Sequence, residues 1–400
     1  MDEVQAQYEA FPYPERDPRD EKKRLITGSP SWPQEMDHWL WGGVRDWSKP
    51  LKILVAGGGT GDGLIQLAQT MTSARRAYDI TYLDLSVAAR KIAEERAKVR
   101  GLQNIKFVTE SLLNAQQFGD FDYIDCCGVL HHLPDPQAGF NALANALAPN
   151  GGIGLMVYAP LGRSGVYPLQ SAFTTLSKGL TPKEKLTLAK RVFKAIPDVH
   201  PFKSNPNLVD HKASDAGFYD LLLHSSDRPY KISELDHALE TAGLAIAGMP
   251  EPALYDPSDL VSDPDVLNSL SRVEKMQVAE DLRGSFKVHV VYAKKPSDLL
   301  NPPLGNAAAV PHLRGIDARK LGAYIAKNGA VQVTTSGQRT KFDVPRSAGN
   351  LVAVINGKRD LAAIRSAAGL DQFAFANTWR PVERALTGFG LLHYSQFLAS

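Results

Sequence analysis

The chain has 400 residues, 44% of them hydrophobic and 22% charged, which is typical of a globular protein with a large buried core. No apolar run approaches the roughly 20 residues of a membrane span, and the N-terminus is polar, which excludes a membrane-spanning class. We therefore expect a cytoplasmic protein of two domains with no membrane span. The net charge of +2 is unevenly distributed, because residues 297–400 hold 12 Lys and Arg against 6 Asp and Glu.

Residues 1–50 are predicted to form an N-terminal arm. An aromatic and proline cluster there contains Tyr8, Phe11 and Tyr13, and it cannot build a core by itself. Two interpretations are equally open: a surface arm that fills a groove, or a lid over a bound ligand. A helix is expected from Glu35 to Asp46, packed beside the first strand.

The next stretch, LKILVAGGGTGDG from Leu51 to Gly63, organises the rest of the chain. Its apolar half predicts a buried parallel strand, and a helical pattern follows its glycines. A glycine turn between a strand and a helix lets the backbone approach a nucleotide closely, and the free N–H groups of the helix favour polar ligand atoms. The predicted cradle consists of Gly57, Gly58, Gly59 and Gly61.

Further strands alternate with helices after this turn. Strands are expected at Asp79–Leu85, Asn104–Val108, Phe121–Cys127 and Gly152–Ala159, and helices at Val87–Arg100 and Pro136–Ala148. This alternation indicates crossover units in a doubly wound, mostly parallel α/β sheet. Two later strands, Leu244–Met249 and Ser285–Ala293, would complete seven, and the last is a candidate antiparallel member.

Two regions interrupt or follow this pattern. Residues from about 160 to 239 are helical with Pro and Gly punctuation, which predicts a cap over the carboxyl ends of the strands. Lys294 to Asn306 is a predicted linker, and beyond it lies a small α+β unit. That unit should contain a hairpin with the turn SGQRT and helices at Leu351–Ile355, Asp360–Ala368 and Trp379–Leu392. The predicted domains are therefore 51–296, with its cap, and 297–400.

Two acidic residues bear on which nucleotide the turn would hold. Asp62 stands where a dinucleotide fingerprint has its third glycine, and a carboxylate there would repel a pyrophosphate. A nucleoside with a sulfonium and an amino acid portion carries no phosphate, and its cationic parts would favour Asp62. Asp84 ends the second strand, where a carboxylate can accept hydrogen bonds from both ribose hydroxyls.

At this point the chain resembles the class I S-adenosylmethionine-dependent methyltransferases over about residues 52–158. The resemblance rests on ILVAGGGTG, YLDLS, TESLL and FDYIDCCGVLHHLPDP, in the order that the family has them. It implies a Rossmann-like seven-stranded sheet, S-adenosyl-L-methionine as the cofactor, and cofactor contacts at Leu85, Glu110, Ser111 and Gly128. Many members have an acid where this chain has Val55, so the contacts of that acid must come from elsewhere, with Asp62 as a candidate.

The opening YEAFPYPERDP and the GVLHHLPDP segment also resemble a bacterial subgroup that includes protein lysine methyltransferases. Within that subgroup, LVAVINGKRDLAAI and VERALTGFGLLHY are similar to a winged-helix-like module. The resemblance implies a protein lysine side chain as the favoured methyl acceptor.

Methyl transfer needs positioning and a deprotonated nucleophile, and no metal is required. His131 and His132 follow the fourth strand, where one imidazole could act as a general base, and either could instead be structural. Tyr8, Tyr13 and Tyr158 could form an aromatic wall around the methyl group and an acceptor ammonium, and Asp210 in the cap could hold that ammonium. Ordinary packing or solvation is the alternative for each.

Three functions remain open on the sequence. The favoured one is methyl transfer to a protein, the second is a small-molecule O-, N- or C-methyltransferase whose tail mediates homodimerisation, and the third is a cofactor-sensing regulator that binds nucleic acid. The third is the least favoured, because the basic tail lacks a dense Lys and Arg recognition helix.

Overall fold

A computed structural model describes residues 3–335 and 338–399 of the chain. Met1 and Asp2 of the predicted arm, and Ser336 and Gly337 of the predicted SGQRT turn, lie outside the described residues. Within the described ranges, no helix combines the length and the apolar character needed to cross a membrane.

The central sheet has seven strands in the described part of the chain, with the order β3-β2-β1-β4-β5-β7-β6. Strands β1 to β5 pair in parallel, and β7 pairs antiparallel with both β5 and β6. The expectation of a doubly wound, mostly parallel seven-stranded sheet is therefore confirmed. The strands are β1 (Leu51–Ala56), β2 (Tyr78–Asp84), β3 (Ile105–Thr109), β4 (Phe121–Cys127), β5 (Leu147–Tyr158), β6 (Ala245–Gly248) and β7 (Val288–Lys294).

Helices cover both faces of this sheet. One face packs on Leu40, Leu64 and Ala93, and the other packs on Phe140 and Leu239. Both cores consist of fully buried aliphatic and aromatic side chains, as a sheet buried on two sides requires. The flanking helices are α1 (Glu3–Ala10), α2 (Pro33–Leu40), α3 (Asp62–Ser73), α4 (Val87–Val99) and α5 (Pro136–Asn145).

The helix expected at Glu35–Asp46 is shorter in the structure, where α2 ends at Leu40. Gly42 and Gly43 follow with φ angles of +61° and +73°, in the left-handed region that ends helices. A short helical turn at Leu112–Phe118 is an element that the sequence pattern did not predict.

The predicted helical cap is present between β5 and β6. Its helices surround a small core of their own, which includes Phe173, Phe202 and Phe218. Beyond the cap, three further helices return the chain to the sheet. The cap consists of α6 (Val166–Leu176), α7 (Pro182–Ala195), α8 (Pro201–Ser204), α9 (Asp210–Ala213) and α10 (Asp215–Leu223), and the returning helices are α11 (Ile232–Thr241), α12 (Pro264–Ser269) and α13 (Arg272–Arg283).

A small C-terminal α+β unit with antiparallel strands follows, as expected. Its hairpin of β9 and β10 agrees with the prediction, whereas α14 and the pair formed by β8 and β11 were not predicted. Its elements are β8 (Pro311–Leu313), α14 (Ala318–Asn328), β9 (Ala330–Thr335), β10 (Gln338–Asp343), α15 (Ala348–Val352), α16 (Leu361–Ala367), α17 (Gln372–Gly388) and β11 (Leu392–Tyr394).

The C-terminal unit is attached to α2 through a buried polar network. The Asp37 carboxylate accepts hydrogen bonds from Ser395 Oγ at 2.7 Å and from Trp47 Nε1 at 2.9 Å. The backbone N–H of Tyr394 donates to His38 Nδ1 at 3.1 Å. Buried polar groups of α2 are thus satisfied by the last residues of the chain.

Candidate functional site

A cavity of about 510 Å³ opens at the carboxyl ends of β1, β2, β4 and β5, under the cap and the N-terminal arm. The glycine turn forms its floor. Gly57 has φ +67°, and a Cβ there would lie 2.6 Å from Val129 Cγ2, while a Cβ on Gly58 would lie 2.3 Å from Tyr82. The backbone can therefore take this path, and approach a ligand, only without side chains.

Most of the sequence-predicted site residues line this one cavity. They come from the glycine turn, from the ends of β2, β3, β4 and β5, from the arm and from the cap. The lining includes Tyr13, Gly57, Gly58, Gly59, Asp62, Asp84, Leu85, Glu110, Ser111, Gly128, His132, Tyr158 and Asp210. Gly61 and His131 are absent from it.

Gly61 and His131 therefore differ from the expectation. Gly61 has φ +99°, and a Cβ there would lie 3.0 Å from the Cβ of Ala93, so this glycine serves the packing of α3 on α4. His131 is fully buried beside the rings of His132 and Tyr158, with centroids 4.1 and 4.0 Å away. Burial holds the pKa of His131 well below its usual range, and neither ring nitrogen has a hydrogen-bond partner in the described ranges.

Asp84 ends β2 beside the glycine turn. Its carboxylate accepts hydrogen bonds from the N–H groups of Gly59 at 2.7 Å and Ser86 at 2.8 Å. Burial raises the pKa of Asp84, and these two hydrogen bonds oppose that shift. The two bonds hold the carboxylate in place while its remaining lone pairs can still accept from a ligand hydroxyl.

Asp62 has protein partners that its sequence context did not reveal. Arg16 of the arm donates to it at 2.6 Å and Arg96 of α4 donates at 2.7 Å. Burial alone would raise the pKa of Asp62, but the two arginines outweigh it and lower the pKa. The expectation that Asp62 attracts the cationic part of a ligand is thus corrected, because its charge is already neutralised by cations of the chain.

A different carboxylate, Asp125, stands beside Val55. The two residues pair directly across β1 and β4, and both line the cavity. Asp125 is 2% exposed and accepts a hydrogen bond from Ser31 Oγ at 2.6 Å, and no cation is paired with it among the described residues. Burial raises the pKa of Asp125 to about 6. The neighbouring strand therefore supplies a carboxylate next to the position where β1 lacks one.

Glu110 and Leu85 lie at the rim of the cavity. Glu110 accepts hydrogen bonds from the Ser111 N–H at 2.7 Å and from Asn114 Nδ2 at 3.2 Å, and the Ser111 bond is the main cause of its lowered pKa. Leu85 is 38% exposed there. An apolar side chain beside polar groups fits a flat heterocycle that needs a surface and hydrogen bonds.

The N-terminal arm crosses between the glycine turn and the cap. Thr60 Oγ1 donates to the Pro14 carbonyl at 2.7 Å, and the ring of Phe11 stacks on that of Tyr219, with centroids 5.0 Å apart. Tyr8 donates to Asp220 of the cap at 3.3 Å. The arm thus closes one side of the cavity through contacts to both the glycine turn and the cap.

His132 has one ring nitrogen fixed and one open. Its Nδ1 lies 2.7 Å from the Ser226 carbonyl, which can only accept, so Nδ1 carries a hydrogen. Nε2 has no hydrogen-bond partner in the described part of the chain, and the residue lines the cavity. His132, rather than His131, therefore presents a lone pair that can accept a proton.

Sequence reasoning missed Asp220, which lies opposite the glycine turn. Asp220 accepts from Tyr8 at 3.3 Å and from Tyr158 at 3.1 Å, and burial raises its pKa. The guanidinium of Arg163 lies over the Tyr158 ring at 3.6 Å and pairs with Asp227 at 3.3 Å. Nothing in the helical cap pattern marked Asp220, because only the fold brings α10 over the sheet.

His132, Asp220 and His224 also place three potential metal-ligand atoms within 4.8 Å of one another. His224 Nδ1 accepts the Ser226 N–H at 3.1 Å, so its Nε2 carries the hydrogen that faces Tyr8 at 3.1 Å. Asp220 already accepts from two tyrosines. The three side chains are therefore linked by hydrogen bonds to their neighbours, and few of their lone pairs are left free to bind a metal ion.

Comparison with known proteins gives matches over the same region. Residues 54–153 match a family described as a methyltransferase domain. The Synechococcus protein syc1184_c is 29% identical over 297 residues, which are 69% of this chain and 67% of that protein. The ubiquinone biosynthesis O-methyltransferase of Psychrobacter arcticus is 34% identical over 96 residues, so the match spans 23% of this chain and 36% of that enzyme.

Among solved structures, PKMT2 from Rickettsia typhi in complex with AdoHcy covers 93% of this chain and 77% of its own, with a TM-score of 0.63. At 15% identity this likeness shows a shared fold. Three findings point to the same conclusion: the order of the strands, the glycine cradle at the carboxyl edge of the sheet, and the family match over that cradle. Residues 54–153 therefore form a methyltransferase domain on a Rossmann-like sheet, which makes the chain an S-adenosylmethionine-dependent methyltransferase.

Proposed function

We propose that this methyltransferase transfers its methyl group to the side-chain amine of a protein lysine. The observation that carries the proposal is the acceptor end of the cavity, where two carboxylates, three tyrosines and an open imidazole nitrogen meet. These groups are Tyr8, Tyr13, His132, Tyr158, Asp210 and Asp220. A cationic amine fits this combination better than a neutral or anionic acceptor does.

The cofactor half of the cavity fits S-adenosylmethionine, which supplies a methyl group on a positively charged sulfur. Gly57, Gly58 and Gly59 let the backbone form the turn that lines the cavity, since a Cβ at Gly57 or Gly58 would collide with Val129 or Tyr82, and Asp84 would accept from the ribose hydroxyls. Leu85, Glu110, Ser111 and Gly128 would surround the adenine end. Asp125 would pair with the ammonium of the amino acid portion.

On the acceptor side, an ammonium must lose a proton before its nitrogen can attack. Asp210, which is exposed at the start of α9, and the buried Asp220 would attract the ammonium into the cavity. The open Nε2 of His132 would accept the proton, because its lone pair is the one that faces the cavity. Tyr13 would orient the amine through its ring face, whereas Tyr158, whose ring already lies against Arg163, would act through its hydroxyl on Asp220.

We further propose that residues 297–400 form a winged-helix-like domain that recruits the protein acceptor. Its charge supports this, since basic residues outnumber acidic ones two to one there. The bounds of the domains, a cytoplasmic location and a homodimer stay predictions.

The second candidate is a small-molecule O-methyltransferase. It is favoured by the match to the Psychrobacter arcticus enzyme named for ubiquinone biosynthesis. That match spans 23% of this chain. A phenol acceptor carries no positive charge, so the two cap carboxylates, Asp210 and Asp220, would attract it less than they attract an ammonium, and we rank this function below lysine methylation.

The experiment that tests the proposal is incubation of the enzyme with methyl-labelled S-adenosylmethionine and a cell lysate. We expect the label on lysine side chains of protein, identified by peptide mass spectrometry. Asp220→Asn should then raise KM for the lysine-containing acceptor more than tenfold, by removing about 1.5–3 kcal/mol of charged hydrogen bonding.

Asp215→Asn is the matched control, because Asp215 lies on the same helix but is exposed and pairs only with Lys190. It should leave KM within about twofold of the wild type. Label confined to lipids or small molecules would contradict the proposal. Equal effects of the two substitutions would contradict the role of Asp220.

A further inference from the structure

A second cavity, of about 710 Å³, lies where the C-terminal unit meets the start of α2. We call it the junction cavity. Its volume is within the range of small-molecule sites, about 300–1,000 Å³. Its walls come from the start of α2, from the segment between β8 and α14, and from the loop that follows α15. None of the residues predicted to bind the cofactor or the acceptor lines it.

The charged side chains of the junction cavity are mostly cationic. Arg319 and Arg359 are exposed at its rim, and in the described ranges neither guanidinium group has a hydrogen-bond or ion-pair partner. Of the two acidic residues, Glu35 pairs with Arg314, whereas Asp317 accepts from the Lys320 N–H at 2.9 Å and keeps its charge. Three arginines against two carboxylates leave the lining with a net positive charge.

Uncharged groups of the wall could complete an anion site. The buried Trp32 Nε1 has no hydrogen-bond partner among the described residues. His393 Nε2 also forms no hydrogen bond there, and it lies 3.6 Å from the Glu35 carboxylate, which is already paired with Arg314. Burial lowers the pKa of His393 to about 3, so the ring is neutral and can donate one hydrogen bond. Val354, Ile355 and Leu398 make the remaining wall apolar.

We propose that the junction cavity binds a small anionic ligand that carries a carboxylate or phosphate group on an apolar body. Arg319 and Arg359 bind the anionic group, because guanidinium groups match both carboxylate and phosphate in geometry. The apolar wall covers the rest of the ligand. This site is separate from the methyl-transfer site and does not depend on the nature of the methyl acceptor.

The two cavities are neighbours, which the test must take into account. Ser29 lines the cofactor cavity, and its hydroxyl accepts a hydrogen bond at 2.8 Å from Arg314, which lines the junction cavity. An anionic probe could therefore enter either cavity. Saturating S-adenosylhomocysteine fills the cofactor half of the first cavity, and the carboxylates Asp210 and Asp220 disfavour an anion in its acceptor end. The junction cavity is then the site that is measured.

The test is isothermal titration calorimetry on the full-length protein. The protein is first saturated with S-adenosylhomocysteine and is then titrated with each of four probes: inorganic phosphate, phenyl phosphate, acetate and benzoate. We expect phenyl phosphate to bind more tightly than phosphate, and benzoate more tightly than acetate, because the ring buries apolar wall. The difference between the phosphate and carboxylate arms identifies the anionic group of the natural ligand.

The double substitution Arg319→Ala with Arg359→Ala should weaken phenyl phosphate binding about tenfold or more. The matched control is Lys320→Ala with Lys358→Ala, which removes the same charge from adjacent exposed positions outside the cavity. That control should change affinity by less than about twofold. Equal losses in both pairs would show general surface attraction, and no binding, or binding that S-adenosylhomocysteine abolishes, would also overturn the proposal.

Discussion

Asp125 places a carboxylate inside a parallel sheet, where a charge is costly because it is removed from water. Among the described residues, only Ser31 donates a hydrogen bond to it, at 2.6 Å, and α3 approaches closely, since a Cβ on Gly63 would lie 3.1 Å from Asp125 Oδ1. A buried acid without a cation destabilises the free protein. It is then available to a cationic ligand, which is the role that we propose for it.

We predict that Asp125→Asn stabilises the free protein at pH 8 and weakens cofactor binding. Burial raises the pKa of Asp125 to about 6, above the unfolded value of about 3.9, so the folded state binds the extra proton. Ionisation of Asp125 lowers the free energy of unfolding by its full amount above pH 6. This loss becomes smaller as the pH decreases, and it vanishes below about pH 4. At pH 8 the variant should gain up to about 3 kcal/mol of unfolding free energy.

Urea unfolding at pH 8 and pH 4 measures this gain, and titration with S-adenosylhomocysteine at pH 8 should show a loss of about 1–3 kcal/mol. Asp79→Asn, at an exposed position on β2, is the control and should change neither quantity. A variant that binds the cofactor product with unchanged affinity would refute the proposed pairing with its ammonium.

The residues that could be predicted from the sequence are those whose function depends on near neighbours. Gly57 and Gly59 lie in one turn, and Asp84 follows from its place at a strand end. Asp125 and Asp220 act through contacts across strands and from the cap, so no local pattern marked them. Asp125, which stands among apolar residues in the stretch FDYIDCC, was nonetheless a usable signal, because an unpaired acid is rare in a buried strand.

At the scale of elements, the arm is the feature that connects the sheet to the cap. Tyr8 supplies one of the two tyrosine hydrogen bonds to Asp220, and Arg16 supplies one of the two arginines on Asp62. Few of these contacts stabilise the sheet itself. The arm therefore has the properties of a closing element rather than of a structural one.

We predict that deletion of the arm up to Pro14 leaves the core folded but speeds release of the cofactor. The deletion removes Tyr8 and Tyr13 from the cavity wall and the Phe11 ring from Tyr219, and it retains Arg16 on Asp62. Stopped-flow displacement of S-adenosylhomocysteine should show a dissociation rate at least about tenfold faster, since changes at one interface act mainly on dissociation. Circular dichroism should be nearly unchanged.

Arg19→Ala is the control for this deletion, because Arg19 belongs to the same segment but forms only an exposed ion pair with Asp17. Its dissociation rate should equal that of the wild type. An unchanged rate in the deletion variant would favour the other interpretation, a surface arm that fills a groove.

The elements that alternate regularly were predictable, and the irregular ones were not. Strands β1 to β5 follow apolar runs, which is why their bounds agree with the sequence to within a few residues, except at the longer β5. The short helix α1 has a weak pattern and packs on α4, so its formation depends on a tertiary contact. Strands β8 and β11 have three residues each, too few for a periodic signal.

At the scale of the whole molecule, the two units share a junction that resembles a domain core. Phe397, near the end of the chain, packs in the same hydrophobic cluster as Leu51 and Met71 and lies 4.8 Å from the ring of Trp47. Its carbonyl accepts from Arg76 at 2.9 Å. Cutting the chain at Pro296 would remove these contacts and leave Asp37 buried without Ser395, so point substitutions test the junction better than truncation.

We predict that the protein unfolds in one transition and that Phe397→Ala lowers the stability of both units together. Phe397 is 1% exposed, and removal of a buried phenyl ring costs about 3–5 kcal/mol. Thermal unfolding should be followed by far-ultraviolet circular dichroism, and separately by loss of S-adenosylhomocysteine binding, which reports on the cofactor half alone. Both midpoints should fall by the same amount, because the ring is packed against the first unit although it belongs to the last segment.

Phe373→Ala is the matched control, since Phe373 lies on α17 and is 78% exposed. Its effect should stay within about 0.5 kcal/mol of the wild type. If Phe397→Ala instead produced two separate transitions, with the binding midpoint unmoved, the C-terminal unit would be energetically independent of the catalytic one. Such a result would also mean that the buried hydrogen bonds of Asp37 do not couple the two units.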